Sequence, residues 1–250
     1  MNGARPLTVV TGGTRGIGAA TAVRLARDGH DLVLGYLADK DAAEHTADLV
    51  RAAGARCRVV AADVTDPGAV DQLFDEAAEQ GTVTGLVNNA GATLHIGDLA
   101  DTPVEVIRRV IDLNLTGAVL CARRAVLAMG LSHGGHGGVI VNVSSGAATL
   151  GSAHEYVHYA AAKAGVDTLT LGLAQEVAAD GVRVNGVAPG LVRTDIHAAA
   201  GDADRLERVG AGVPLGRPGE PEEVAAAISW LLGDECAYVT GATLRVAGGR

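Results

Sequence analysis

Short runs of β-branched and aliphatic residues alternate along this chain with longer stretches whose apolar positions recur every three or four residues. LTVVT (7–11) stops at glycines, and a helical stretch follows from Gly16 to Asp28. DLVLGY (31–36) precedes a helix over Lys40–Ala53, and RCRVVAAD (56–63) one over Pro67–Gln80. In the last, Asp66 is placed as N-cap and Pro67 as first helical residue. GLVNNAG (85–91) and GVIVNVSS (138–145) bracket a long helix over 103–129. A second long helix over 156–180, VRVNGVAPG (182–190), a helix over Glu220–Leu232 and GATLRVAGG (241–249) complete the pattern.

The strand-like runs are continuously apolar rather than alternating. Strands buried on both faces of a parallel sheet read this way. Repeated βα units take right-handed crossovers. The expectation is an α/β, Rossmann-type, doubly wound parallel sheet of about seven strands, helices on both faces, in one domain. The 250 residues carry no linker that would divide it. Ligands of such sheets bind beyond the carboxyl ends of the strands. The residues just after each strand are therefore the candidates.

The first of these turns is TGGTRGIG (11–18). Glycines at 12, 13, 16 and 18 permit a tight turn and let backbone N–H groups approach an anion, with a helix N-terminus behind them. The spacing is G-x-x-x-G-x-G, neither G-x-G-x-x-G nor a P-loop. A Gly-rich turn can serve strand–helix packing alone, but a place between the first strand and a helix points to a dinucleotide. A NAD site wants a carboxylate about 20 residues on, for the ribose 2′-OH. Gly35 stands near that place, and the first acid is Asp39. Arg15 puts a cation inside the cradle with no carboxylate opposite, which favours NADP(H), with NAD(H) possible. Lys40 either assists or is a solvated helix-start lysine.

Composition narrows the picture. Hydrophobic residues make up 48% but aromatics only 2%, so the core is Ala, Val, Leu and Ile. The net charge of −9 argues against a nucleic-acid surface. Cys57, Cys121 and Cys236 match no zinc spacing and read as reduced, mostly buried thiols. His133 and His136 in SHGGHGG lack a Cys or carboxylate partner, so no metal is expected. No signal-peptide core or membrane-length apolar run is present, and a cytoplasmic protein is the expectation.

Of the chain's two lysines, one stands in HEYVHYAAAKAG (154–165). Tyr159 and Lys163 are four apart and share a helix face. An ammonium beside a tyrosine favours its ionised form and lowers its pKa, towards that of a useful acid–base catalyst. Tyr156 is two turns from Lys163 and reads as pocket wall or packing. His158 points from another face, within possible reach of the substrate rim. Ser145 follows the fifth strand, where a hydroxyl can hold a substrate oxygen; Ser144 is its rival. No G-x-S-x-G surrounds either, so a serine hydrolase is excluded.

With these motifs in order, TGGTRGIG, NNAG (88–91), Asn114 in DLNLTG, Ser144-Ser145, Tyr159-x-x-x-Lys163 and Pro189-Gly190 followed by Thr194, the chain resembles the short-chain dehydrogenase/reductases nearly end to end. It is similar to 3-oxoacyl-[acyl-carrier-protein] reductases and related sugar and alcohol dehydrogenases. The resemblance implies a catalytic set of Asn114, Ser145, Tyr159 and Lys163, with Asn114 kinking its helix and anchoring a water. It also implies cofactor contacts from Gly12, Thr14, Arg15, Gly16, Ile17 and Gly18, from Asp63 and Val64 at the adenine, and from Asn89, Ala90 and Gly91 at its ribose. Lys163 would reach the nicotinamide ribose, and Pro189, Gly190, Val192 and Thr194 the nicotinamide end. It implies a substrate lid over 194–220, a stretch with no aromatic side chain and no obvious charge clamp, and a homo-oligomer, usually a tetramer.

Two features depart from the acyl-carrier-protein reductases: Ala38 stands where they carry a basic residue, and the Ser145–Tyr159 segment is slightly longer. The leading expectation is an NADP(H)-dependent oxidoreductase acting on a small carbonyl or secondary alcohol, such as a ketone or 3-oxoacyl thioester. An NAD-dependent sugar or polyol dehydrogenase is the alternative. A non-catalytic dinucleotide sensor has no use for the acid–base set.

Overall fold

Each predicted strand is present in a computed structural model of the chain, which describes residues 5–202 and 204–250. β1 (Leu7–Thr11), α1 (Gly16–Arg27), β2 (Asp31–Tyr36), α2 (Lys40–Ala52), β3 (Cys57–Ala61), α3 (Pro67–Ala78) and β4 (Val83–Asn88) alternate strictly. α4 (Val104–Ile111) and α5 (Gly117–Met129) lead to β5 (Gly138–Val143), α6 (Ala147–Leu150), α7 (Val157–Glu176) and β6 (Val182–Pro189). The short α8 (Ile196–Ala199) and α9 (Arg205–Gly210) precede α10 (Pro221–Leu232) and β7 (Thr243–Val246).

The strands form one sheet of order β3-β2-β1-β4-β5-β6-β7, and every neighbouring pair is parallel. β1 lies between β2 and β4, so the topology reverses there and opens a crevice at the strand ends. β4 and β5 meet in register from Gly85↔Val139 to Asn88↔Asn142. This is a single-domain, Rossmann-type, doubly wound sheet.

Successive residues of each strand feed opposite cores. Val9, Val33, Leu86 and Ile140 pack with Leu73, Phe74 and Cys121 on one face. Val10, Leu34, Val87 and Val141 pack with Leu25 and Ile228 on the other. All of these are buried. The Asp66 carboxylate caps α3, accepting from the Gly68 N–H at 2.9 Å, with Pro67 at its first position.

Two helix expectations need correction. The stretch 103–129 is not one α-helix, because a π-helical turn, Asp112–Thr116, separates α4 from α5. Asn114 Nδ2 donates to the Val110 carbonyl at 2.9 Å, competing for the acceptor that an α-helix would reserve for its own backbone. α7 stops at Glu176, and a 3₁₀ turn over Ala178–Asp180 ends at Gly181 in the left-handed region. Among the described residues no helix is long and apolar enough to cross a membrane.

Candidate active site

The switch point is held by side chain to backbone bonds. Thr11 Oγ1, at the end of β1, accepts from the Asn89 and Ala90 N–H groups at 3.0 and 3.1 Å. Asn89 Nδ2 donates back to the Thr11 and Gly12 carbonyls at 3.1 and 2.9 Å. The ends of β1 and β4 are thereby stapled together. Gly12 and Gly16 take φ of +59° and +48°, a region L side chains rarely adopt. A Cβ on Gly18 would fall on the Gly12 carbonyl oxygen. The Thr14 carbonyl accepts from Thr46 Oγ1 at 3.1 Å, which ties the turn to α2. The result is a cradle without side-chain bulk at the positive end of α1, fit for a diphosphate.

Arg15 does not stand free of carboxylates as the spacing implied. Its guanidinium pairs with Asp39. Asp39 is the N-cap of α2, its carboxylate accepting from the Ala42 N–H at 2.9 Å, and that turn swings it back over the cradle. The bond from Ala42, then the partner Arg15, hold the Asp39 carboxyl below the ordinary aspartate value.

Both serines border the other end of the crevice, but their hydroxyls are engaged differently. Ser144 is buried and donates to the Lys163 carbonyl at 3.2 Å. Ser145 lines the crevice, its Oγ accepting from the Ala147 N–H at 3.1 Å. Tyr159 and Lys163 are both buried in α7, with Nζ 5.6 Å from the tyrosine ring centroid. Lys163 Nζ donates to the Val143 carbonyl at 2.8 Å. Asn114 Nδ2 donates to the Ala92 carbonyl at 2.8 Å, while its buried Oδ1 has no partner among the described residues. Gly91 lies directly above, where a Cβ would come within 2.5 Å of that oxygen.

The expected fall in the Tyr159 pKa is not found. Burial pushes the phenol well above the ordinary tyrosine value, against a smaller downward pull from a hydrogen bond with Ser145. Burial also lowers Lys163 to about 8, against the attraction of Asp167. Desolvation is the largest cause of both shifts. Tyr159 is therefore held in its protonated form.

The crevice has a volume of about 630 Å³. Gly12, Arg15, Gly16, Ile17, Asn89, Ala90 and Gly91 line one end, and Pro189, Gly190, Val192 and Thr194 line it with Ser145, Tyr159 and Lys163. Asp63 and Val64 do not line it. Asp63 is engaged by Arg109 at 2.9 Å and by the Thr65 hydroxyl at 2.7 Å, and Val64 packs against Gly117 in the core. His158 does not reach the substrate rim either. It is 4% exposed, neither ring nitrogen has a partner among the described residues, and its turn of α7 faces Thr93 and His95.

The stretch 194–220 does carry a buried charge pair, where the sequence showed no obvious charge clamp. Arg205 of α9 is only 3% exposed and forks onto Glu155 at 2.6 and 2.7 Å. It also donates to Tyr156 Oη at 3.1 Å. All three line the crevice. Ion pairs across fifty residues leave no periodicity, and nothing in DRLER (204–208) sets Arg205 apart from Arg208 three residues on.

A family model described as enoyl-(acyl carrier protein) reductase matches residues 12–250. An uncharacterized oxidoreductase, YgfF, of Escherichia coli is 45% identical, over 98% of this chain and 99% of its own. The cis-4-hydroxycyclohexanecarboxylate dehydrogenase of Sinomonas cyclohexanicum is 43% identical, over 98% and 96%. A short-chain dehydrogenase from Burkholderia cenocepacia, solved in complex with NADP, superposes with a TM-score of 0.90 at 33% identity, covering 98% of this chain and 97% of that one. The cradle after β1, the Tyr159–Lys163 pair of α7 and these likenesses lead to one assignment: the chain belongs to the short-chain dehydrogenase/reductase family and is an oxidoreductase of that family.

Proposed function

We propose that this crevice reduces a small carbonyl compound, a ketone or 3-oxoacyl thioester, or oxidises the matching secondary alcohol, with NADP(H) as the favoured coenzyme. The observation that carries the reading is the convergence of Ser145, Tyr159 and Lys163 on the crevice that the glycine cradle opens. The dinucleotide, when bound, supplies the hydride. Gly12, Gly16 and Gly18 would leave room for its diphosphate, and Arg15 would meet a 2′-phosphate after releasing Asp39. Thr194 and Pro189-Gly190 would bound its nicotinamide end.

The remaining chemistry is the protein's. Ser145 donates a hydrogen bond to the substrate oxygen and steadies the charge that develops there. Tyr159, kept protonated by burial, gives its phenolic proton to that oxygen. The Lys163 ammonium favours the tyrosinate left behind. Oδ1 of Asn114, without a partner among the described residues, is an acceptor for a water that could return a proton towards Lys163.

A second reading, NAD(H) with a sugar or polyol, is supported by the Arg15–Asp39 pair, which spends the cation that a 2′-phosphate would need. The residues over 194–220 are proposed as the substrate lid. Exposed apolar side chains on α5 and α7, Val119, Leu127 and Leu171, support a homo-oligomer. The test is a panel of acetoacetyl thioesters, quinones, simple ketones and aldoses followed by NADPH and NADH absorbance, with Tyr159→Phe as control. The variant should lose at least about a hundredfold in kcat. Turnover equal to wild type would overturn the mechanism.

A further inference from the structure

Resting on that reading, we infer that Arg205 is a positioning residue for the reaction: it locks α9 of the lid onto Glu155 and Tyr156 and thereby fixes Tyr159.

The contacts form a continuous chain. Two guanidinium nitrogens of Arg205 meet the two carboxylate oxygens of Glu155. The second also bonds Tyr156 Oη, and the guanidinium carbon lies 5.3 Å from the centre of the Tyr156 ring. The Tyr156 ring in turn stands edge-on to Tyr159, with centroids 5.5 Å apart and planes at 89°. Glu155 and Tyr156 are also the residues by which the chain enters α7, Tyr156 being its N-cap. The Glu155 carbonyl is anchored from the far side by the Gly97 N–H at 2.7 Å. Whatever fixes residues 155–156 therefore fixes the first turn of α7, and Tyr159 belongs to that turn.

Stability alone does not account for the pair. A desolvated arginine costs more than its Coulombic attraction reliably returns, and apolar residues of similar size often replace such a pair without loss. A two-point fork does specify geometry, which a lysine cannot reproduce. α9 has only six residues and carries Arg205 as its first. A helix that short has little intrinsic stability, so its place over the crevice depends on side-chain anchors.

The test combines kinetics with hydrogen exchange on the full chain. Arg205→Met should lower kcat about tenfold while KM changes less than about threefold, because positioning acts on the transition state. Arg205→Lys should recover only part of that loss. In a Tyr156→Ala background Arg205→Met should cost little further kcat, since its effect passes through that ring. Amide exchange over 205–210 should accelerate in Arg205→Met with no coenzyme or substrate present. An Arg205→Met enzyme of unchanged kcat, an undiminished effect in the Tyr156→Ala background, or unaltered exchange over α9 would each overturn the inference. Turnover retained by Tyr159→Phe would instead sink the underlying reading, and the positioning role with it.

Discussion

Arg15 and Asp39 are in contact, and on the proposed reading coenzyme choice turns on that pair. Both are largely exposed, so their pairing adds little to stability and is easily exchanged for a better anion. A 2′-phosphate offers Arg15 two charges and several acceptors in place of one carboxylate. Removing the competitor should therefore favour the phosphorylated coenzyme. Asp39→Asn is expected to raise kcat/KM for NADPH relative to NADH by about threefold to tenfold, and Arg15→Ala to lower the same ratio by more than about tenfold. Initial rates with both coenzymes on one substrate decide it. If the two variants moved the ratio the same way, Arg15 would not be the phosphate anchor. Asp39 was visible in the sequence, but its approach to Arg15 was not. That contact exists because Asp39 caps α2, and a cap residue bends back over its own helix start.

Among the elements, β1 and β4 matter most, since their ends meet beneath the cradle. Thr11 alone gives the part-buried end of β4 two acceptor bonds, to Asn89 N–H and Ala90 N–H. Thr11→Val keeps the shape and removes that oxygen, leaving two donors short of a partner. It should destabilise the fold by about 1–3 kcal/mol and weaken dinucleotide binding, read by urea midpoint and by calorimetric titration. A neutral urea midpoint would mean that water replaces the hydroxyl at no cost. The strands themselves were legible because β1, β2, β4 and β6 are covered on both sides and left continuous apolar runs. The π turn at Asp112–Thr116 was not, because one extra residue in a helix barely disturbs a 3.6-residue pattern. Tyr159–Lys163 was readable from its one-turn spacing. Arg205–Glu155 was not, because only the folded chain brings α9 against the start of α7.

For the molecule as a whole, the buried titratable groups set how stability varies with pH. Lys163 is lowered to about 8, against about 10.4 in an unfolded chain. Between those values the unfolded state holds a proton the folded state has lost, so Lys163 makes stability rise with pH. Cys57 and Cys121 act oppositely: burial pushes both thiols up to about 12. Above about pH 8.5 the unfolded thiols ionise and the folded ones do not, so stability falls with rising pH. Tyr159, raised by burial, adds to that fall above about pH 10. Two thiols outweigh one ammonium, and net stability should decline above about pH 9. Lys163→Met should steepen the decline and Cys121→Ala flatten it, as melting temperatures across that range would show. Identical slopes in all three proteins would refute this assignment.

The sheet order has one more consequence. β3-β2-β1-β4 comes entirely from the first half of the chain and β5-β6-β7 from the second, so within the sheet the halves join along the β4–β5 pairing, with α1 packed on α10 and α4 on α7 across it. The cradle and Asn114 lie on one side of it; Ser145, Tyr159 and Lys163 lie on the other. The covalent join is the turn after His133, whose tip at Gly134 is exposed. A chain nicked between His133 and Gly134 should therefore behave as a two-part enzyme. Either fragment alone would be inert, and mixing them would restore turnover at a rate set by their encounter. The oxidoreductase would then serve as its own reporter of fragment association.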